Sequence, residues 1–357
     1  MKKIYLSCLA LLCSVWAWAV NGFSIDDITI KAGEEKTIAV KMYHDVGITA
    51  FQFELFLPEG VSIKTKKSGK LTVTATERLS PMNEDDEVVP HNLSSNIQTS
   101  GGYRIMAYSN ESLNVAGDSG DPVVTITIVA SDQVSTGAFT PQITNMEMTE
   151  ASGTKHKINP TTYNCTVTLE TTVTTLGYAS FSWPKPLDFT NSGLTAYIAT
   201  SNTNNSLRLE SVTKVPANTG LILKGTAGSD NTYPLKTVAN DDLDNLDDVS
   251  ENMLTSNCTG DYEIPSDNVY VLSNLDDGKP GFYLAQSGVV VGQYKSYLVL
   301  SPNAARLSLG FEEVSTGIQQ IETIEQQSNL WYDLQGRRVQ NPINGVYMVN
   351  GKLRIIK

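Results

Sequence analysis

The clearest alternation of apolar and polar positions in the chain lies between residues 47 and 61. A period of two places every second side chain on the same face of a β-strand, so this stretch predicts a strand with one buried face. Pro58 has no amide proton and Gly60 adopts backbone angles that other residues avoid, so the strand is predicted to end in a turn. The predicted inward side chains are Phe51, Phe53, Leu55 and Leu57, and the intervening positions are Gln52, Glu54 and Phe56.

Short stretches of the same kind recur along the chain, separated by segments rich in Gly, Ser, Asn and Asp. None has the period of a convincing helix. The pattern predicts an all-β protein with two antiparallel β-sandwich (jelly-roll-like) domains, residues 24–170 and 171–316, followed by a short C-terminal β appendage. The boundary lies in the threonine-rich run 170–175, because a strand ends there and the pattern restarts at Leu176. The long polar insertion 78–102 is predicted to be a loop, suited either to binding or to disorder.

The first 19 residues have the parts of a secretory signal peptide. Lys2 and Lys3 precede an apolar run over residues 4–15, and small residues near Ala19 predict cleavage after that position. The alternative, a membrane anchor, is disfavoured because a spanning helix needs roughly 20 apolar residues. We therefore expect an exported protein with no transmembrane segment after signal removal.

The charge of the chain bears on its partners. Loss of Lys2 and Lys3 with the signal peptide changes the formal net charge from −12 to −14. A strongly acidic chain disfavours binding to nucleic acid. It suits solubility, calcium or a basic partner, and solubility alone is a sufficient explanation.

Cysteine content excludes a scaffold built on disulfides, since only Cys165 and Cys258 remain after signal removal. Alternation places Cys165 on the same strand face as Val167 and Leu169. This predicts a buried free thiol, and a bridge to Cys258 is the alternative.

The organising strand has the form Phe-x-Phe-x-Leu-x-Leu-Pro-x-Gly-Val and follows the apolar strand 38–42. Later come Gly120-Asp-Pro-Val-Val-Thr-Ile-Thr-Ile128, the turn 137–139 and the segment 143–153. In this order of strands, residues 24–170 resemble the cohesin and carbohydrate-binding jelly-roll superfamily. The resemblance implies a sandwich without catalytic residues, whose faces or loops dock a macromolecular partner.

The rest of the chain carries two further resemblances. Residues 177–224 resemble a β domain, without established activity, that is common near the C-termini of exported proteins of Gram-negative anaerobes. After a polar, Gln-rich linker (317–328), the tail 329–357 contains Tyr332-Asp-Leu-Gln-Gly-Arg337, a Gly-Val-Tyr strand from Gly345 and a basic apolar end. Its turns predict three short strands. The tail resembles the C-terminal sorting domain of the type IX secretion system, which implies transport to the cell surface.

We find no catalytic, cofactor-binding or metal-binding residues in the sequence. The three histidines, His44, His91 and His156, do not form a cluster with zinc-ligand spacing, and no Gly-x-Ser-x-Gly elbow is present. The four residues 117–120, Gly-Asp-Ser-Gly, match the nucleophile loop of chymotrypsin-like proteases but are predicted to form a turn. The acidic stretch 240–251 lacks the glycine of an EF-hand loop and is predicted to be a short amphipathic helix or capped loop.

Sugar binding by stacking requires exposed aromatic side chains. We predict core or edge packing for the two tryptophans that remain after signal removal, because aromatic residues dominate small β cores. The aromatic candidates are Trp183 and Trp331, followed by Tyr103, Tyr108, Tyr283, Tyr294 and Tyr297.

Together these features predict a secreted or surface-exposed binding or adhesion module that recognises a protein or a glycan at the cell surface and is not an enzyme. The expected location is the cell surface, the outer membrane or the extracellular space. A carbohydrate-binding protein of a polysaccharide-utilisation assembly is the first alternative. A hydrolase is the second, because the separation of a catalytic carboxylate pair is spatial and cannot be read from the sequence.

Deletion of residues 332–357 tests the predicted role of the tail. If the tail is a sorting signal, the truncated protein should fold and remain in the periplasm, because the signal peptide still directs the first export step. Surface labelling of intact cells and fractionation measure this. Surface labelling equal to that of the full chain would contradict the sorting role.

Overall fold

The computed structural model describes residues 21–228, 231–265, 268–274, 279–301 and 304–311, and the backbone of four strands between residues 331 and 356. Contacts divide the chain into two units, residues 1–312 and 313–357. Both units consist of β-strands, and the described helical residues are confined to the 3₁₀ turns Glu77–Leu79 and Asn240–Asn245. The all-β prediction is confirmed. The described residues contain no apolar helix of membrane-spanning length. The predicted signal peptide (1–19) and linker (317–328) lie outside the described residues.

The first part of the larger unit runs from residue 22 to residue 172. Its strands are β1 (Gly22–Ser24), β2 (Ile28–Lys31), β3 (Glu35–Tyr43), β4 (Ala50–Leu55), β5 (Val61–Ile63), β6 (Val73–Ala75), β7 (Asn92–Ile97), β8 (Tyr103–Tyr108), β9 (Pro122–Ala130), β10 (Gly137–Phe139), β11 (Gln142–Thr149), β12 (Lys155–Ile158), β13 (Thr161–Thr162) and β14 (Cys165–Thr172).

Two sheets of this part enclose one apolar core. The first sheet has the order β1-β3-β9-β5, with β6 also paired to β9. The second has the order β12-β11-β4-β8-β7, with β13 also paired to β11. Alternate residues of both sheets fill the space between them, including Val40 and Ile126 from the first and Phe53 from the second. The two sheets therefore form a β-sandwich.

The organising strand follows its predicted alternation at three of the four inward positions, whereas Leu57 lies beyond the end of β4 and is half-buried, and Glu54, predicted on the polar side, is buried. Phe51, Phe53 and Leu55 are buried, and the ring of Phe23 on β1 lies 4.9 Å from the Phe53 ring. A turn follows, in which the amide of Val61 donates to the carbonyl of Pro58. Gly60 has φ +83°, and a Cβ at this position would lie 2.7 Å from the Cα of Val134. Glycine is therefore required here by both conformation and space.

The insertion 78–102 is more ordered than its polar sequence predicts. It contains the turn Glu77–Leu79, a hairpin in which Met82 pairs with Val88, and strand β7, which extends the second sheet by one strand. Strand β7 was missed because it lies at the sheet edge and buries little, so its sequence, Asn-Leu-Ser-Ser-Asn-Ile, has almost no apolar alternation.

The second part of the larger unit runs from residue 178 to residue 311. Its strands are β15 (Tyr178–Phe181), β16 (Leu187–Asp188), β17 (Thr195–Thr203), β18 (Ser206–Val212), β19 (Lys214–Val215), β20 (Leu221–Lys224), β21 (Thr232–Thr237), β22 (Leu254–Asn257), β23 (Tyr262–Glu263), β24 (Val269–Ser273), β25 (Gly281–Leu284), β26 (Val290–Val291), β27 (Lys295–Val299) and β28 (Arg306–Phe311).

A nine-stranded sheet dominates this second part, in the order β15-β20-β17-β18-β28-β25-β24-β27-β22. It packs against a smaller sheet, β10-β14-β21-β16-β19, across a core that includes Phe181, Trp183 and Leu235. The described pairing is antiparallel except for two parallel pairs, β2 with β14 and β18 with β28. The prediction of antiparallel sandwiches is confirmed with these two exceptions.

Strand β14 is shared by the two parts. Its first half, at Cys165 and Val167, pairs with β2 and β10 and contributes to the first core. Its second half pairs with β21, with Leu169 opposite Leu235, and contributes to the second core. The boundary predicted at residues 170 and 171 falls inside this strand. Cys165 is fully buried and unbridged, as its alternation predicts, and burial raises the pKa of its thiol.

Three further contacts tie the two parts together beside β14. Thr136 and Thr237 exchange hydrogen bonds, because the amide of each donates to the hydroxyl of the other at 3.0 Å. The ammonium group of Lys185 donates to the hydroxyl of Ser135 at 3.0 Å. The Tyr294 hydroxyl donates to Asp132 Oδ2 at 3.1 Å. The two parts are thus joined by backbone, hydroxyl and charged groups.

The smaller unit contains four described strands in one antiparallel sheet. The sequence predicts three, and the difference arises because residues 331–339 contain two short strands that pair with each other. The strands are β29 (Trp331–Tyr332), β30 (Arg338–Val339), β31 (Gly345–Val349) and β32 (Lys352–Ile356), in the order β30-β29-β31-β32.

Substitution of Leu169 by Ala tests the coupling through β14. Leu169 is 4% exposed, so its truncation should destabilise the larger unit by about 2–5 kcal/mol through lost apolar contacts. Because β14 is shared, both parts should unfold in one calorimetric transition that shifts to lower temperature as a whole. Two transitions, of which only one shifts, would contradict the coupling.

Candidate functional site

The outer surface of the sheet β12-β11-β4-β8-β7 is a broad, mostly polar surface of the first sandwich. Since side chains alternate along a strand, the residues between the buried ones point away from the core. We call this surface the polar face. Its side chains are Lys155, Lys157, Thr144, Glu147, Thr149, Ala50, Gln52, Glu54, Arg104, Met106, Tyr108, Asn92, Ser94 and Asn96.

A buried carboxylate lies within the polar face. Glu54 is only 3% exposed, although it occupies an outward position of β4. Arg104 donates to Glu54 Oε1 from Nε at 3.1 Å and from Nη2 at 2.5 Å. Asn145 Nδ2 donates to Glu54 Oε2 at 2.7 Å. These hydrogen bonds replace the water that the carboxylate loses on burial, so the charge is tolerated there.

The position of Asn145 depends on an irregularity in β11. The register between β11 and β4 shifts between Thr144 and Glu147, and Asn145 has φ +48°. Asparagine tolerates this left-handed conformation better than most residues. A bulge of this kind turns a side chain away from the regular pleat, and here it directs the amide toward Glu54.

A cleft of about 520 Å³ borders the polar face beside Glu54 and Asn145. Part of its wall is apolar and part carries hydroxyl and amide groups, so it can contact both an apolar surface and hydrogen-bonding groups of a ligand. The apolar lining is Phe56, Leu57, Pro58, Phe139 and Pro141, and the polar lining is Ser100, Thr140, Gln142 and Thr144 in addition to Glu54 and Asn145.

A hydrogen bond and a neighbouring glycine position Phe56 at the cleft. The Tyr163 hydroxyl donates to the carbonyl of Phe56 at 2.6 Å, and its burial raises the pKa of Tyr163 far above the usual range. Gly102 leaves room for the ring, because a Cβ there would lie 2.9 Å from Phe56 Cζ. Neither Phe56 nor Phe139 was identified from the sequence as a binding residue. The available signal was that Phe56 is apolar at a position of the alternation where polar residues are expected.

The aromatic residues that were considered for sugar stacking differ in how far their side chains are exposed. Trp183 is 5% exposed and stacks on Phe181 at 6.3 Å, so it packs in the core. Tyr283 and Tyr297 are also buried, whereas Tyr103 and Tyr294 are half-buried. Tyr108, on the polar face, is 45% exposed. The side chain of Trp331 lies outside the described residues.

The segment 117–120 forms a turn and brings Ser119 close to the backbone of His44, without a catalytic arrangement. The amide of His44 donates to the Ser119 hydroxyl at 2.8 Å. Both ring nitrogens have other partners: Nδ1 contacts the Val46 carbonyl at 2.9 Å, and Nε2 accepts from Arg78 at 2.8 Å. Arg78 is buried and also donates to the carbonyls of Ala116 and Asp121. The imidazole therefore supports loop structure and does not activate the serine.

The other residues with potential for metal or acid-base chemistry lie apart. His91 is buried, and desolvation lowers the pKa of its imidazole. His156 contacts Glu150 at 2.6 Å on the hairpin between β11 and β12. Among the described residues, no group of three His, Cys, Asp or Glu side chains is arranged to hold a metal ion.

The acidic stretch 240–251 has structural partners. Residues Asn240–Asn245 form a 3₁₀ turn, which agrees with the predicted short helix or capped loop. Asp242 accepts a hydrogen bond from Lys214, and Asp247 accepts from the amides of Thr213 and Lys214. Asp242 therefore fastens the turn, and Asp247 the residues that follow it, to Thr213 and Lys214 at the start of β19.

Comparison with known proteins yields similar folds at low sequence identity. No protein-family model and no curated protein matches the chain. The solution structure of CaCohA2 from Clostridium acetobutylicum is 10% identical over 41% of this chain and 88% of its own, with a TM-score of 0.32. The cohesin module of a family 33 glycoside hydrolase from Clostridium perfringens is 12% identical over 42% and 98%, with a TM-score of 0.32.

A third similar structure is the type I cohesin–dockerin complex Coh-OlpA-Doc918 from Clostridium thermocellum. The identity is 11% over 42% of this chain and 99% of the matched one, with a TM-score of 0.31. At these identities the similarity concerns the fold alone.

Substitution of Glu54 by Gln tests whether the buried carboxylate is held by charge. The variant keeps the side-chain shape but loses the charge-assisted bonds from Arg104, so the free energy of unfolding should fall by about 1–3 kcal/mol. Glu147→Gln is the matched control, because its partner Lys155 is 61% exposed and an exposed pair contributes only about 0–1 kcal/mol. Equal losses in urea unfolding would contradict this assignment.

Proposed function

We propose that this chain is an exported, non-catalytic module that binds a macromolecular partner through the polar face of its first sandwich. The observation that carries the proposal is the pre-oriented network of Glu54, Arg104 and Asn145 within a sheet surface whose other side chains are half-buried or exposed. A network held in one geometry loses little conformational freedom on binding. The mixture of both charges, amides and one exposed tyrosine is compatible with the polar rim of a protein interface, and tyrosine, methionine and arginine are enriched in interfaces.

A protein is the partner class that the polar face supports best. Its outward positions span five neighbouring strands and carry Lys, Arg, Glu, Asn and Gln side chains, which offer both donors and acceptors across a broad surface. A broad surface of this kind suits a folded partner, whose interface typically buries roughly 800 Å² on each side. The predicted signal peptide and the resemblance of the tail to a sorting domain support a location at the cell surface.

A glycan is the second candidate, and the cleft favours it. The rings of Phe56 and Phe139 line the cleft beside the hydroxyls of Thr140 and Thr144. Aromatic faces together with hydroxyl and amide groups match the alternating apolar and hydroxyl surfaces of a sugar ring. In this case Phe139→Ala should abolish binding on a glycan array, whereas Gln52→Arg should leave it largely intact.

Gln52→Arg tests the polar face. The substitution places a long cation at the centre of the surface and should weaken the affinity for a protein partner by roughly tenfold or more. Thr37→Arg is the matched control, because Thr37 is exposed on the outer surface of the opposite sheet. The partner is captured from a cell-surface fraction with the full chain, and is then identified and purified. Its affinity for the wild type and for each variant is measured with and without a metal chelator.

These measurements distinguish protein binding, glycan binding and enzymatic turnover. A purified protein that binds the wild type and Thr37→Arg equally but Gln52→Arg weakly supports the proposal. Glycan binding in the absence of protein, lost in Phe139→Ala, supports the second candidate. Turnover of a polysaccharide or peptide by the purified chain would overturn both.

A further inference from the structure

Strand β7 ends the second sheet of the first sandwich with an open edge. In the order β12-β11-β4-β8-β7 it pairs with β8 on one side, and among the described residues no strand pairs with its other side. An open edge presents backbone N–H and C=O groups that can pair with another strand.

The hydrogen-bond register identifies the backbone groups that face outward. The amide of Gln98 donates to the carbonyl of Gly102 at 2.8 Å, directly after β7 in the same register. In an antiparallel ladder, pairs of residues that exchange hydrogen bonds alternate with pairs that do not. The even-numbered residues of β7 therefore bond to β8, and the N–H and C=O groups of Leu93, Ser95 and Ile97 point to the open edge.

The two edges of this sheet differ in their protection. Strand β12, at the opposite edge, has the sequence Lys-His-Lys-Ile, and lysines on an edge strand discourage pairing with another chain. Strand β7 has the sequence Asn-Leu-Ser-Ser-Asn-Ile, without charge or proline. Its last residue, Ile97, is 63% exposed although it lies on the core side of the sheet, opposite Tyr103. The β7 edge thus has the features of a strand that pairs.

We propose that β7 pairs with β7 of a second copy of this chain, antiparallel and about a two-fold axis at Ser95. In this register each Leu93 lies opposite the second copy's Ile97, and all the outward groups of residues 93, 95 and 97 find partners. A two-fold axis at a residue keeps core-side residues opposite core-side residues. The exposed Ile97 is then covered by an apolar side chain in both copies.

Charge is compatible with this pairing. The acidic turn at residues 84–87 precedes the Asn92 end of β7, and the turn 98–102 that follows Ile97 has no charged residue. Antiparallel pairing puts the Asn92 end of one copy beside the Ile97 end of the other. The acidic turns of the two copies therefore lie at opposite ends of the β7–β7 interface and do not face each other.

The pairing has a consequence for binding that does not depend on which partner the polar face recognises. Two second sheets become one continuous sheet, so the two polar faces lie side by side. A partner with two binding segments would then bind more tightly, because binding to one polar face holds its second segment at a high effective concentration near the other face. The dimer interface consists of one short strand from each copy, so the dimer is expected to be reversible and dependent on concentration.

Sedimentation velocity on the full chain across a concentration series tests the pairing. The wild type should form a reversible dimer, and Ile97→Asp should raise its dissociation constant roughly tenfold or more by placing a charge opposite Leu93. Val290→Asp is the matched control, because Val290 is 54% exposed on the second part of the unit and should leave the dimer unchanged. A wild type that is monomeric at every concentration, or a dimer weakened equally by both substitutions, would overturn the proposal.

Amide hydrogen exchange on the unmodified chain gives a second readout that does not depend on the folding of a variant. Exchange at Leu93, Ser95 and Ile97 should slow as the protein concentration rises, because these amides become hydrogen-bonded. Slowing at other edges with unchanged exchange at these three would overturn the proposal.

Discussion

The pairing of β14 on both sides of the predicted domain boundary is the constraint on which the larger unit depends. Four residues of this strand, from Leu169 to Thr172, pair with β21, and the preceding residues pair with β2 and β10. Each hydrogen bond contributes only about 0.5–1.5 kcal/mol, but the strand also places apolar side chains in two cores. Neither sandwich can lose this strand without opening its core.

A shared strand also determines how the polar face is held. The face is built on β4 and β8, whose inward residues pack in the first core, and that core is closed on one side by β14. Side chains on such a scaffold keep a defined geometry, unlike side chains on a long loop. Glu54 makes use of this rigidity, because its carboxylate is buried only if Arg104 and Asn145 remain within hydrogen-bond distance.

The alternation of apolar residues predicted the fold class, the buried side of β4, the turn at Gly60 and the burial of Cys165, because these features depend on local periodicity. It could not predict the burial of Glu54, which depends on an arginine 50 residues later and on a bulge at Asn145. Strand β7 escaped detection because an edge strand buries too little to impose alternation. The strand pattern restarts at Leu176, which predicted a domain boundary nearby. Residues 169–172, before that point, pair with β21, which lies after it, and such long-range pairing leaves no trace in the local sequence.

The most direct test of the account is hydroxyl-radical footprinting of the full chain with and without its bound macromolecule. Met106 and Tyr108 lie on the polar face and are readily oxidised, whereas Met82, which is 65% exposed, lies on the insertion hairpin outside it. Binding through the polar face predicts slower oxidation of Met106 and Tyr108 and unchanged oxidation of Met82. Protection confined to residues 178–311, with Met106 and Tyr108 oxidised as fast as in the free chain, would contradict it.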